Sequence, residues 1–394
     1  MTELRHGAAA AMPDLAPRVF LRDALSGATL LFSDARSVVT CRDAADVAAA
    51  FATLERALDD GLHVAGAFAY ELGHALEPRL AGLMPAALAA PLIHVGLFAS
   101  ALRAADADGH GAVRAPSVRP ADGIAVEPAP SREAYRRGVT RVLDYIGAGD
   151  VYQVNLTFPL RFPWRVGPWP LYARLAPHQR VAFGAVLELP ELAAVSLSPE
   201  LFFRKTGARV ETRPMKGTIR RGATAEADRE LAAALAADPK NRAENLMIVD
   251  LIRNDLGRVA RLGSVRVERL FEVEAYETLH QMTSTVAAEV APDIPLLELF
   301  RALFPCGSVT GAPKIRAIEI IDELEGRPRG VYTGAIGWIA PDRTMTFSVP
   351  IRTVMLADGQ ATMGVGSGIV ADSDPDGEYD ECLLKARFLS RALG

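Results

Sequence analysis

The chain has 394 residues, of which 50% are apolar and 23% charged, with a net charge of −5 at pH 7. That is the composition of a soluble globular protein long enough for two lobes, and it lacks the basic excess that neutralises nucleic-acid phosphates. No apolar run reaches the roughly 18 residues needed to span a bilayer; the N-terminal MTELRHGAAAAMPDLAPR is interrupted by Pro13 and Asp14 and does not read as a signal peptide; and three widely spaced cysteines, Cys41, Cys306 and Cys382, point to a reducing cytoplasm.

In chain order, ATLLFSDARSVVTC and HVAGAFAYELG read as strands, with a helix between them near AADVAAAFATLERAL. Residues 103–130 are rich in Ala, Gly, Pro and Asp and read as a surface excursion or lobe boundary. Ser131 is placed to cap a helix in which Tyr135, Val139, Val142, Leu143 and Ile146 recur at helical spacing until Gly147 and Gly149 end it. Four strand-like runs follow: VYQVNLTFPLRF, RVAFGAVLEL, AAVSLSPELFFRK and ARVETRPM. Helices are expected at 224–238, 241–256, 295–304 and 313–325. TMTFSVPIRTVML and QATMGVGSGIV, joined by Asp358-Gly359, form a hairpin signal, and a last helix is expected over 377–393. Strands in neighbouring runs and helices in separate blocks indicate an α+β fold with mostly antiparallel sheet.

Several residues along this path suit chemistry, and each also has a structural reading. Glu200, in SLSPELFFR, stands beside Leu201, Phe202 and Phe203; desolvation there would raise its pKa and let it donate a proton, whereas a turn carboxylate in water would do nothing. Lys216, in ETRPMKGTIRRG, has Arg213, Arg220 and Arg221 within five residues. A lysine attacks only as the neutral amine, and burial or nearby cations push its pKa down. Glu244 and Glu381 each open an apolar helical run and suit a Mg²⁺ ion that takes few carboxylates and keeps its waters; an i,i+4 pair of Glu381 with Lys385 is the plainer alternative. His280 sits at an expected helix-to-strand transition among hydroxyl and amide groups. The loop holding Gly307, Ser308, Thr310 and Gly311 feeds a helix start that either binds an anion or is simply capped. Gly364, Gly366 and Gly368 alternate at a strand end, as needed for a close backbone approach to a ligand or for a bulge.

Taken together, SPELFF, TRPMKGT, ENLMIVDLIRNDLGRV, PCGSVTGAPKIRAIEIIDELE, YTGAIGW, IRTV and GSGIVADSDPDGEYDECLLKA occur in the order found in the chorismate-utilising enzymes, and the resemblance covers about residues 130–392. It implies two mostly antiparallel sheets packed as a sandwich with surrounding helices. It divides the chain into a front region, 1–125, and a chorismate-binding catalytic domain, 126–394. The front region includes LLFSDARS, residues 30 to 37, which resembles a segment lining a tryptophan pocket in relatives.

The resemblance further implies Mg²⁺ on Glu244 and Glu381 for the ring carboxylate of chorismate, and Tyr332, Arg352 and the backbone of Gly366 and Gly368 for the side-chain carboxylate. Gly217, Thr218, His280 and Ser308 would line the ring, with Gln153 and Lys385 also in the substrate site. Glu200 would act as the acid and Lys216 as the nucleophile. Family members that form anthranilate carry a small residue at the Lys216 position, whereas those that aminate C4 carry lysine. Members that add water place a lysine at the position of Gln153, and glutamine cannot serve as that base. Asn241 stands where some relatives have an acid, and Ser308 where several have threonine. No cysteine sits in a glutaminase-like setting, so ammonia is expected from a separate glutamine amidotransferase.

Overall fold

The structure, a computed structural model, describes residues 16–103, 123–276 and 279–394. Two 10-stranded sheets account for all of the described strands. The first runs, in spatial order, Gly311–Ala312, Gln153–Pro163, Gln360–Ile369, Thr353–Ala357, Leu192–Ser198, Phe183–Leu189, Arg18–Asp23, Ala28–Phe32 and Leu102–Arg103, with Glu127–Pro128 also pairing on 153–163. The second runs Met215–Arg220, Leu279–Glu289, Arg209–Arg213, Leu201–Thr206, Met345–Ser348, Ala335–Ile339, His63–Phe68, Ile93–Phe98 and Ser37–Cys41, with Arg266–Ala275 also pairing on 279–289. The pairings are antiparallel, as expected.

Strand alternation sorts the side chains into layers. Val19 and Leu21 point between the sheets with Ala65, Ala67, Ala185, Leu187 and Ile336. Phe20, from the same strand, points outward into a core with Val139, Leu171, Ile320 and Leu389 from the helices. On the second sheet, Val64, Phe68, Val95 and Phe347 point outward against Phe51, Ile252 and Phe300. The result is helices, sheet, sheet, helices. Small residues such as Ala65, Ala67 and Ala185 let the sheets approach, with Phe32 and Phe98 also in the middle layer, and larger clusters of aromatics lie under the helices. Each fully buried Phe in those outer cores contributes about 1.5–3 kcal/mol through removal of apolar surface from water.

The boundary expected near residue 125 falls inside this shared sandwich. Strand 18–23 pairs with 183–189, and strand 63–68 pairs with 335–339, so the front region contributes strands to both sheets. Of the 103–130 excursion, residues 104–122 lie outside the described residues, as do the first 15 residues of the chain.

The helices form where capping and periodicity place them. Ser131 accepts from the Ala134 N–H at 3.2 Å and opens Arg132–Gly147. Thr224 and Asp238 cap Ala225–Ala237 and Pro239–Gly257. Leu296–Leu303 and Lys314–Glu325 match their expected spans. The runs ATLLFSDARSVVTC, AAVSLSPELFFRK and TMTFSVPIRTVML each divide into two strands, one in each sheet, and three further features differ from expectation. The last helix is two, Pro375–Lys385 and Arg387–Leu393, meeting at Ala386. The short helix Pro168–Leu175 is concealed in the sequence by prolines at 168 and 170. His280 belongs to strand 279–289, not to a helix-to-strand transition; its hairpin partner, 266–275, carries two register slips that scramble the alternation.

Candidate active site

The local geometry at Lys216 is a β-bulge. Met215 pairs with Thr283 and Thr218 with Gln281, so Lys216 and Gly217 share the span opposite a single residue. A bulge of this kind re-aims a side chain at the cost of one ladder position. Gly217 has φ +77°, and a Cβ there would lie 2.7 Å from Asn241 Oδ1, so both conformation and space require glycine. Gln281 fixes the bulge: its Nε2 donates to the Gly217 carbonyl at 2.7 Å, and its Oε1 accepts from Thr218 Oγ1 at 2.8 Å.

The re-aimed lysine reaches across to the first sheet. A Cβ on Gly368 would sit 3.2 Å from Lys216 Nζ and 3.1 Å from Gln153 Nε2, so the missing side chain is what lets these two groups meet the strand. Gly364 and Gly366 play the same part for the Tyr332 ring and for Thr157. Both amide atoms of Gln153 are buried without a hydrogen-bond partner, as is Glu200 Oε1. Unpartnered buried polar groups mark a place for a polar ligand.

Burial is the main cause that pushes the Lys216 pKa below the ordinary lysine range; Lys385 adds to the depression, while Glu244, Glu200 and Glu381 work against it. The three arginines near it in sequence do not supply the effect. Arg213 is paired with Glu274, Arg221 with Asp228, and Arg220 is exposed. The cation that counts, Lys385, comes from helix 375–385.

Glu200 follows Ser198, whose Oγ accepts from the Glu200 N–H at 3.1 Å. Burial raises the Glu200 carboxyl to about 7, against opposing contributions from a Ser308 hydrogen bond and the Lys216 charge. Ser308 sits in a loop held from behind by Arg329, which donates to Val309 O at 2.9 Å and to Asn155 O at 2.7 Å and pairs with the buried Glu325 at 2.7 Å. The same loop places Cys306 Sγ 3.2 Å from Ser308 Oγ, but burial pushes that thiol to about 12 and makes it a poor nucleophile.

Arg352 occupies a left-handed backbone conformation, φ +53°, unusual for a side chain with a Cβ. Burial alone lowers its pKa to about 10. Among the described residues no carboxylate forms an ion pair with it, which leaves a desolvated guanidinium suited to an incoming anion.

Glu244, on helix 239–257, and Glu381, on helix 375–385, both act electrostatically on Lys216. Burial raises the Glu244 pKa, and neighbouring Asp372 and Glu378 raise it further. Burial also works to raise Glu381, but Lys385 at 2.7 Å and then Lys216 hold it below the usual range. Lys385 Nζ donates to the Gly366 carbonyl at 2.9 Å as well, joining this helix to the glycine strand. Among the described residues no group of three His, Cys, Asp or Glu forms a ready-made metal cage. A half-buried carboxylate, Glu244, and a half-exposed one, Glu381, nevertheless fit Mg²⁺, which takes oxygen ligands, keeps waters and completes its shell with substrate.

The structure therefore gathers Lys216 with Gln153, Gly368, Glu200, Glu244, Glu381 and Lys385, joins Ser308 to Glu200, and joins Gly366 to Lys385. Thr218 is instead exposed and engaged with Gln281; His280, next to the bulge, has Nε2 3.0 Å from Asp228 and Nδ1 without a partner. Glu378 is an acid that sequence reading passed over; it accepts from Ser373 Oγ at 2.5 Å, and its i,i+3 spacing from Glu381 was the available signal. At Asn241, the side chain bonds Asp238 at 2.8 Å and packs over Gly217, so it serves the helix start and the bulge.

Leu30, from the 30–37 segment, lines a cavity between the sheets together with Arg22, Asp23, Phe183 and Trp338. Its volume of about 20 Å³ has room for about one water.

Residues 24–391 match the model of the chorismate binding enzyme family. The chain is 45% identical over 263 residues to an aminodeoxychorismate synthase of Streptomyces griseus, covering 66% of this chain and 36% of that protein. It is also 45% identical over 263 residues to anthranilate synthase component 1 of Thermus thermophilus, covering 67% and 57%. With aminodeoxychorismate synthase component 1 of Escherichia coli it shares 42% identity over 263 residues, covering 67% and 58%. It thus spans between about a third and three fifths of the length of these curated relatives. Its fold matches the crystal structure of anthranilate synthase component I from Streptococcus pneumoniae with a TM-score of 0.74, at 23% identity over 99% of this chain and 95% of that one.

Proposed function

Because the chain belongs to the chorismate binding enzyme family, we propose that it aminates chorismate at C4 to give 4-amino-4-deoxychorismate, as component I of an aminodeoxychorismate synthase serving 4-aminobenzoate formation. The observation that carries this reading is the Lys216 amine, desolvated and set beside Gln153 and Gly368 within reach of the Glu200 carboxyl's field. A site that simply bound a dianion would favour a charged lysine. Burial here shifts Lys216 toward the neutral, nucleophilic form.

In the reaction, Arg352, Tyr332 and the backbone at Gly366 and Gly368 hold the side-chain carboxylate. Glu244 and Glu381 would hold Mg²⁺, which when bound neutralises the ring carboxylate and orients it. Lys216 adds through its lone pair to C2 of the ring. The double bonds shift, the C4–O bond breaks, and Glu200 gives its proton to the departing hydroxyl, which leaves as water. Ammonia then adds at C4, the double bonds shift back, and the C2–N bond breaks to restore the free lysine. The Glu200 carboxylate takes the surplus proton from the new C4 ammonium and is ready for the next cycle. Gln153 lacks the basicity to direct water to the ring, which favours the amine route over hydration.

Ammonia is assigned to a partner glutamine amidotransferase. All three cysteines are buried, and burial raises each thiol, Cys41 to about 11 and Cys306 to about 12. None is an activated nucleophile for glutamine. No helix among the described residues is long and apolar enough to cross a membrane.

The deciding experiment is product identification by liquid chromatography and mass spectrometry from chorismate, Mg²⁺ and ammonium. 4-Amino-4-deoxychorismate is expected; anthranilate as the main product would overturn the assignment. Glutamine should support turnover only after a glutaminase subunit is added, and glutamine-dependent activity of the chain alone would contradict the partner. Glu244→Gln is expected to raise the Mg²⁺ concentration needed for half-maximal chorismate binding by about tenfold, the loss of one charged ligand contact. An unchanged metal titration would remove Glu244 from the site.

A further inference from the structure

His280 lies on strand 279–289 as the register partner of Ile219, just past the bulge that carries Lys216, and its neighbour Gln281 is the clamp on that bulge. Its ring is 3% exposed. One ring nitrogen, Nε2, is 3.0 Å from Asp228 Oδ1. The other, Nδ1, is buried with no hydrogen-bond partner.

The chemistry of Asp228 decides which nitrogen holds the proton. Arg221 forks onto the carboxylate, Nε to Oδ1 at 2.8 Å and Nη2 to Oδ2 at 2.6 Å, and the Gly222 N–H donates to Oδ1 at 2.7 Å. A carboxylate held by a guanidinium in this way is ionised and can only accept. Nε2 must therefore donate, and in the neutral ring Nδ1 is left as a bare acceptor. Arg221 is itself anchored, its Nη1 donating to the Tyr276 carbonyl at 2.5 Å. Asp228 stands in the first turn of helix 225–237, whose close seating on the chain depends on Gly222, where a Cβ would be 2.2 Å from the Asp228 nitrogen.

We propose that Asp228, locked by Arg221, is a positioning residue that fixes His280 as the Nε2–H tautomer, so that Nδ1 accepts a hydrogen bond from a hydroxyl or amine donor of the bound substrates. The inference rests on the amination reading for the identity of that donor. The tautomer itself belongs to the free protein, so the two readings fail separately. The same division of labour operates in hydrolytic triads, where a buried aspartate selects the tautomer of its histidine.

The test is a nitrogen-15 NMR spectrum of the substrate-free chain labelled at histidine, with the His280 signals identified by subtracting the spectrum of His280→Asn. The wild type is expected to show a protonated Nε2 and an unprotonated Nδ1. The reverse tautomer, or an even mixture, would overturn the proposal whatever product the enzyme makes. Asp228→Ala is expected to abolish the tautomer preference and to lower kcat by about tenfold to a hundredfold, with KM for chorismate changed less than threefold. An Asp228→Ala protein that keeps both the tautomer and full turnover would show that the aspartate only braces the helix. Should that variant fail to fold, a second pair decides. His280→Asn, which keeps a polar group near the Nδ1 position, should retain at least tenfold more activity than His280→Gln, which keeps one near Nε2; equal losses would count against the inference.

Discussion

Lys216→Ala is expected to lower kcat for amination by about three orders of magnitude, equivalent to about 4 kcal/mol of lost transition-state stabilisation. The size follows from removing the atom that forms and breaks a bond, not a contact that merely holds the ring. Chorismate affinity should change only a fewfold, because the carboxylate-binding groups, Arg352 and the two acid-bearing helices, lie elsewhere. The fold should persist as well: the bulge is set by Gly217 and by the Gln281 clamp, neither of which needs the amine. Steady-state rates at saturating ammonium, with a chorismate titration alongside, separate the two effects. In the wild type without ammonia, intact-protein mass spectrometry should find an adduct of chorismate minus water on Lys216. Near-normal turnover of the alanine variant would sink the nucleophile assignment.

The second large effect belongs to Glu200. Its carboxyl is raised to about 7 by burial, so the acid form that protonates the leaving hydroxyl is lost as pH climbs past neutrality, and the rate should fall above about pH 7. Glu200→Gln should lose that descending limb together with about 10³-fold in kcat, within the usual range for a general acid. The variant's stability should move opposite to its activity. The native carboxyl binds its proton more tightly than the unfolded one, so the native protein loses stability as pH rises from 4.5 to about 7 and carries the full penalty above that. At 1.36 kcal/mol per pKa unit the penalty is about 3 kcal/mol. Urea melts should therefore show Glu200→Gln more stable than wild type by about that amount at pH 8 and nearly equal to it at pH 4.5. A variant destabilised at pH 8 would mean that the carboxylate is stabilised in a way its surroundings do not reveal.

The legible part of this molecule was what local rules govern. Ser131 before an apolar 3.6-residue repeat, and Asp358-Gly359 between alternating runs, announce a helix and a hairpin from the residues themselves. The motif order led to the candidate site residues, and Glu200, Glu244 and Glu381 each act electrostatically on Lys216. What sequence hid was set across space. The cation that depresses Lys216 is Lys385, 169 positions away in the chain, while the arginines beside it are spent on Glu274 and Asp228. Strand 266–275 was obscured because its two register slips break the alternation that reveals a strand. Asp228 could not be linked to His280 before the fold brought helix 225–237 against strand 279–289.

Interleaving of the front region with both sheets bears on how this protein can be engineered. Strand 18–23 covers the flank of 183–189, and strand 63–68 covers the flank of 335–339. Trimming the chain to its motif-rich portion would bare two rows of backbone amides and carbonyls at once, each a template for another molecule's strand. Insoluble filaments are a more natural outcome of such a truncation than a minimal enzyme, and swaps with relatives should exchange the front strands together with the segments they zip onto.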